Sequence, residues 1–127
     1  MHVELTLSTD PLLPPAAARV PADNCGAVIT FLGVVRGTEG GHPIWGLEYT
    51  AFEAMARHQF DLLFVAVSQR WPIHSIRLIH RLGDVAAGEP SLWIEITSPH
   101  RGEAFAACQW IIDEMKRVVP ILSLIHI

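Results

Sequence analysis

The sequence is short of cysteine, of charge and of long apolar runs, and each shortage removes a class of protein. Its two cysteines, Cys25 and Cys108, have neither metal-type spacing nor the density of a disulfide-stapled secreted scaffold. Cys108 falls on an apolar helical stripe and Cys25 precedes an apolar strand without basic neighbours, so neither suits a persulfide carrier. Charged residues make up 17% of the chain and the net charge is −4, which argues against general nucleic-acid binding but leaves room for local basic clusters that hold a phosphorylated small molecule. No segment reaches the roughly 18 apolar residues of a membrane span. The N-terminus has no charged region followed by an apolar run, so a cytoplasmic protein with no membrane partner is expected. The seven histidines lack zinc-type spacing. His74 and His80 would share one side of a strand but sit roughly 20 Å apart at about 3.3 Å per residue. No metal and no cofactor are expected.

What is present is enough for one domain: 127 residues, half of them apolar, can build a real core. His2 to Leu7 alternates, with Val3, Leu5 and Leu7 on one side, which predicts an opening strand. Asp10 to Pro21 is rich in proline and alanine, and its prolines allow only a short helix or an irregular connector. Gly26 to Val35 is a near-continuous apolar run, as in a strand buried on both faces. It ends at Arg36 and leads into a Gly-rich loop through Pro43, expected to be mobile. Ile44 to Tyr49 then reads as the returning strand of a hairpin around that loop. Phe52, Met55, Ala56, Phe60, Leu63 and Val67 recur at helical spacing up to Trp71-Pro72. Ile73 to Arg81 and Ser91 to Ser98 read as strands joined by a turn. The order predicts an α+β fold of two layers, a mainly antiparallel sheet packed with two main helices.

The stretch from Thr97 to Pro120, TSPHRGEAFAACQWIIDEMKRVVP, carries the candidate chemistry. Pro99 stops a strand, Ser98 or His100 can cap the helix that follows, and Glu103 favours its first turn. About 17 residues could run helically to Val119, roughly 26 Å at about 1.5 Å per residue. Phe105, Cys108, Ile112, Met115 and Val119 form its apolar stripe. Lys116 falls at the rim of that stripe, where it could simply snorkel over apolar surface or pair with Asp113. Arginine forks match phosphate oxygens, and a helix start offers free N–H groups to the same anion. Arg36, His100 and Arg101 could therefore hold an anion, although each alone fits a surface pair or turn residue equally well.

Taken together with TFLGVVRG at Thr30 to Gly37, LEYTAFEAMA at Leu47 to Ala56 and IHRLG at Ile79 to Gly83, this stretch resembles the large, catalytic subunit of molybdopterin synthase, the MoaE family. The resemblance covers about Gly26 to Ile121, in the family's order and spacing. It implies that Lys116 is the essential active-site lysine and that Arg36, His100 and Arg101 line the substrate pocket. Phe31 and Ile112 are expected as apolar walls. The implied reaction takes sulfur from the C-terminal thiocarboxylate of a small ubiquitin-like subunit, of the MoaD type. Two sulfurs pass in turn to cyclic pyranopterin monophosphate, giving the dithiolene of molybdopterin. A lysine suits that work, because its ammonium can hold the thiocarboxylate and offset developing charge, or give up a proton. The implied assembly is a homodimer of large subunits within a heterotetramer, with pockets that draw basic groups from both large subunits.

The sequence departs from the family after Pro120. The family continues to a second functional lysine near where Ser123 stands, and then to a closing segment. Here the residues are Leu122 to Ile127, LSLIHI, which a transposon-end sequencing adapter, CTGTCTCTTATACACATC, encodes in frame. The expectation is a single domain over residues 1–121, incomplete at its C-terminus, with a non-native tail over residues 122–127 and impaired activity. The apolar tail is also expected to favour aggregation. The alternative function is a non-catalytic or truncated relative that dimerises and docks the small subunit. An unrelated phosphate-binding domain would need only the basic turn.

Overall fold

The computed structural model describes residues 1–16 and 24–127, so residues 17–21 of the proline-rich connector lie outside the described residues. Strand β1 (His2–Ser8) opens the chain and, as its alternation demands, turns Val3, Leu5 and Leu7 inward. After β2 (Ala27–Val34) come two short strands, β3 (Thr38–Glu39) and β4 (His42–Pro43). The Gly-rich stretch is thus a small antiparallel hairpin. Gly40 and Gly41, at φ 57° and 81°, supply the left-handed pair that a two-residue turn requires. Strand β5 (Gly46–Ala51), helix α1 (Glu53–Arg70), β6 (Ser75–Arg81), β7 (Gly83–Ala86) and β8 (Pro90–Ser98) follow. Helix α2 (Arg101–Val118) and β9 (Ile121–His126) complete the fold.

Four strands form one sheet in the order β1-β6-β8-β2, with β1 parallel to β6 and the other pairs antiparallel. Three form a second, antiparallel sheet in the order β7-β5-β9. Two expectations are corrected by this topology. β5 does not return along β2; it lies in the other sheet between β7 and β9. The strand buried on both faces is β8, whose residues from Ser91 to Ser98 are all buried. β2 stands at an edge, with Val28, Leu32 and Val34 exposed. An apolar run reports burial only if a second partner strand and a covering layer are present, and β2 has one partner. The turn expected between β6 and β8 contains β7, which pairs with β5. Gly46 permits that pairing, because a Cβ there would collide with the Val85 carbonyl oxygen.

Both helices lie with the four-stranded sheet around one core. Phe60 and Val67 of α1, Ile76 and Leu78 of β6, Ile94 and Ile96 of β8 and Ile111 of α2 are all essentially inaccessible. The helices also meet through Trp71 and Trp110, edge-to-face at 6.1 Å, with Arg70 lying 4.7 Å over the Trp110 ring. The buried stripe of α2 is Ala104, Ala107, Cys108, Ile111 and Met115, continued by Val119. Phe105, expected inside, is 59% exposed, and Ile112 is only partly buried. Alanine at positions 104 and 107 lets the helix approach the sheet closely, and that contact turns the neighbouring phenylalanine outward. On α1, Phe52 and Met55 are likewise exposed, while Phe64 joins the buried side.

Candidate active site

The C-terminal half of α2, the β2–β8 side of the larger sheet and the β5–β9 side of the smaller one enclose a cleft of about 590 Å³. β2 contributes Phe31 and Val34, the turn after it Arg36, and β3 Glu39. From α2 come Ile112, Met115 and Lys116; from β5, Leu47 and Tyr49; from β6, His80; from β8, Ser91 and Leu92; and from β9, Ser123. Four residues expected in the site from sequence, Phe31, Arg36, Ile112 and Lys116, therefore share one cavity.

Lys116 is the sole lysine of the sequence. It is exposed and, among the described residues, has no ion-pair partner; the alternative pairing with Asp113 is not formed. Its neighbours Glu114 and Arg117 pair with each other instead, at 2.7 Å. Arg36 is also exposed and donates to the Glu39 carboxylate at 3.2 Å. An exposed pair of this kind is worth at most about 1 kcal/mol, so an incoming anion can take the guanidinium at small cost. Two cationic side chains and one carboxylate then face a cavity whose walls mix polar and apolar groups in about equal share, an arrangement suited to an anionic ligand with a planar body that carries polar edges.

His100 and Arg101 do not line this cavity. His100 occupies the N-cap position of α2 and Arg101 its first turn, whereas Lys116 lies in its last. Fifteen residues of helix, about 22 Å at about 1.5 Å per residue, separate Arg101 from Lys116. The helix start also corrects the expected cap: neither Ser98 nor His100 caps it with a side chain. The Ser98 hydroxyl donates to the His100 carbonyl oxygen at 2.5 Å instead. Among the described residues, no side chain accepts from the first N–H groups of α2, next to His100 and Arg101.

Some groups in and near the cleft escaped sequence reasoning. Tyr49, His80 and Ser91 sit on three different strands, and only the topology brings them together. Burial lowers the His80 pKa from its ordinary value, with the bond to the Arg81 carbonyl pulling the other way. The Cys108 thiol is pushed up by burial, which disfavours the thiolate that a sulfur carrier needs. Outside the cleft, His126 Nε2 lies 3.6 Å from carboxylate oxygens of both Glu48 and Asp84. Sequence spacing could not show this partly exposed cluster of one imidazole and two carboxylates, since its members come from β5, β7 and β9.

Residues 7–118 match the family described as MoaE protein. The chain belongs to that family. A molybdopterin synthase catalytic subunit from Pyrococcus abyssi is 35% identical over 106 residues, covering 84% of this chain and 72% of that protein. Those of Nostoc sp. and Arabidopsis thaliana are each 38% identical over 102 residues, which is 80% of this chain but 62% and 52% of theirs. The chain thus spans between 52% and 72% of the length of these three MoaE relatives. Molybdopterin synthase from Staphylococcus aureus superposes with a TM-score of 0.79 at 26% identity, covering 94% of this chain and 87% of that one. The MoaE protein of Burkholderia ambifaria shares the fold with a TM-score of 0.82 at 23% identity, over 97% of this chain and 82% of that one. So does a complex of subunits 1 and 2 of molybdopterin-converting factor from Helicobacter pylori, with a TM-score of 0.70 at 20% identity over 97% and 83%.

Proposed function

We propose that this chain is the catalytic subunit of a molybdopterin synthase, a cytoplasmic sulfurtransferase of molybdenum cofactor biosynthesis. Sulfur comes from the thiocarboxylated C-terminus of a small ubiquitin-like subunit and goes to cyclic pyranopterin monophosphate. The observation that carries this reading is the single lysine of the sequence, unpaired among the described residues, on the wall of a cleft that Arg36 also lines. In that setting Lys116 is the catalytic residue: its ammonium holds the anionic thiocarboxylate and offsets the charge that develops as the carbon–sulfur bond changes hands. Arg36 steadies the substrate anion, and Phe31 and Ile112 flank its ring system. The two-subunit complex among the fold relatives supports a protein partner.

The separation of Arg101 from Lys116 supports a homodimer in which each pocket is shared. His100, Arg101 and the open helix start of one copy serve the cleft of the other, giving the substrate phosphate a bidentate and backbone-lined seat. With a small subunit at each end the assembly is a heterotetramer.

Sulfur transfer tests the reading directly. The purified chain, a thiocarboxylated small subunit and cyclic pyranopterin monophosphate should yield molybdopterin, and Lys116→Ala should abolish it while leaving the fold intact. If the gene itself encodes Ser123, an uncharged residue that lines the cleft where the family resemblance implies a second lysine, that residue favours a second reading, a docking scaffold without chemistry. Bound partner with no product, even after Ser123→Lys, would establish the scaffold. We also propose that Leu122 to Ile127 is foreign to the gene. Resequencing the locus checks this, and a stop codon directly after these codons in genomic DNA would refute it.

A further inference from the structure

Three polar side chains on the cleft wall have no part in the chemistry above: Tyr49, His80 and Ser91. His80 and Ser91 are buried, at 6% and 7% exposure. The Tyr49 hydroxyl donates to Ser91 Oγ at 3.3 Å, and the tyrosine ring meets the imidazole edge-to-face at 5.0 Å. His80 Nδ1 lies 2.8 Å from the Arg81 carbonyl oxygen. A carbonyl oxygen only accepts, so Nδ1 carries the proton and, in the neutral ring, Nε2 carries a lone pair. Among the described residues no donor reaches Nε2. That nitrogen is not one of the sealed, partnerless polar atoms of the structure either. Its remaining outlet is the cleft that the ring lines.

A buried imidazole that forgoes a hydrogen bond loses free energy unless something binds there. We propose that His80 is a ligand-binding residue of the cleft, its Nε2 accepting a hydrogen bond from an N–H group of the bound anionic ligand. Ser91, whose oxygen already accepts from Tyr49, keeps its own O–H free to donate among the described residues. The wall of the cleft thereby offers an acceptor at His80 and a donor at Ser91, each in contact with Tyr49, while Lys116 and Arg36 supply the charge. This pairing selects a ligand that carries N–H and acceptor atoms together, as a pterin ring edge or a peptide amide does. The inference rests on the sulfurtransferase reading for the identity of that ligand.

The substitutions that test it follow from imidazole geometry. His80→Asn keeps a donor at the place of Nδ1 for the Arg81 carbonyl but removes the acceptor at Nε2. His80→Gln places an amide oxygen near the position of Nε2. Two probes are titrated separately by calorimetry: cyclic pyranopterin monophosphate, and a peptide ending in the small subunit's Gly-Gly carboxylate. His80→Asn should weaken one probe by about tenfold, with His80→Gln recovering most of it. The probe affected identifies whether the pterin or the tail brings the N–H. Equal binding of both probes by wild type and His80→Asn would overturn the proposal and leave the sulfurtransferase reading standing. Wild-type protein that binds neither probe would overturn both. Independently of any ligand, nitrogen NMR of the imidazole at pH 7 should report the neutral Nδ1–H tautomer. A proton on Nε2 would overturn the proposal.

Discussion

Lys116 and Ser123 approach the same cavity from α2 and β9, and they differ in the one property that the proposed chemistry needs, a positive charge. Removing the charge at position 116 should lower the sulfur-transfer rate by about 100- to 1,000-fold, the usual effect of deleting a preorganised electrostatic stabiliser. Since the side chain is exposed, Lys116→Ala should leave thermal stability within about 0.5 kcal/mol of wild type. Ser123→Lys adds a second cation and should raise the rate about tenfold or more in the same assay. His80 shows its environment through pH rather than rate. Its folded pKa is depressed by burial below the ordinary 6.5, so the unfolded chain binds the extra proton first. The stability it contributes is complete above pH 6.5 and is lost as pH falls below that value toward the folded pKa. Melting temperatures of wild type and His80→Asn at pH 5 to 8 should converge toward the acid end, because only wild type has a buried imidazole to protonate. Parallel curves would refute this.

At the scale of elements, Gly46 of β5 leaves no room for a Cβ beside β7, and Gly46→Ala should cost about 1–3 kcal/mol through overpacking against the Val85 carbonyl. Denaturant melts would read this as a lower midpoint at unchanged slope. The sequence exposes the elements themselves well: α1, α2, β1, β6 and β8 follow directly from periodicity and from the punctuation at Trp71-Pro72 and Pro99. It exposes strand partners poorly. Nothing in the apolar run of β2 distinguishes an edge from a centre, and nothing in Gly83 to Ala86 announces a strand paired with β5. Phe105 shows the same limit on α2. Periodicity alone allows either Phe105 or Ala104 to face the core, and packing against the sheet decides for the smaller side chain. In the cleft, Phe31, Arg36, Ile112 and Lys116 were legible as motif residues. Tyr49, His80 and Ser91 were not, because their nearness is a product of strand order.

At the scale of the whole molecule, the length of α2 becomes a functional constraint. A rigid helix holds Arg101 and Lys116 about 22 Å apart, farther than one small phosphorylated substrate can bridge, so a single copy cannot present both to the same molecule. A twofold dimer resolves this if its isologous contact brings the start of one α2 to the cleft of its partner. Subunit mixing separates this arrangement from one in which Arg101 acts within its own chain. Arg101→Ala and Lys116→Ala homodimers should each be nearly inactive, since every pocket lacks one group. When the two are mixed in equal amounts and allowed to exchange, half the dimers are heterodimers. Each heterodimer has one pocket with both defects and one with none, so activity should return to about a quarter of wild type. If Arg101 and Lys116 served the same pocket from one chain, every pocket in the mixture would keep a defect and no activity would return.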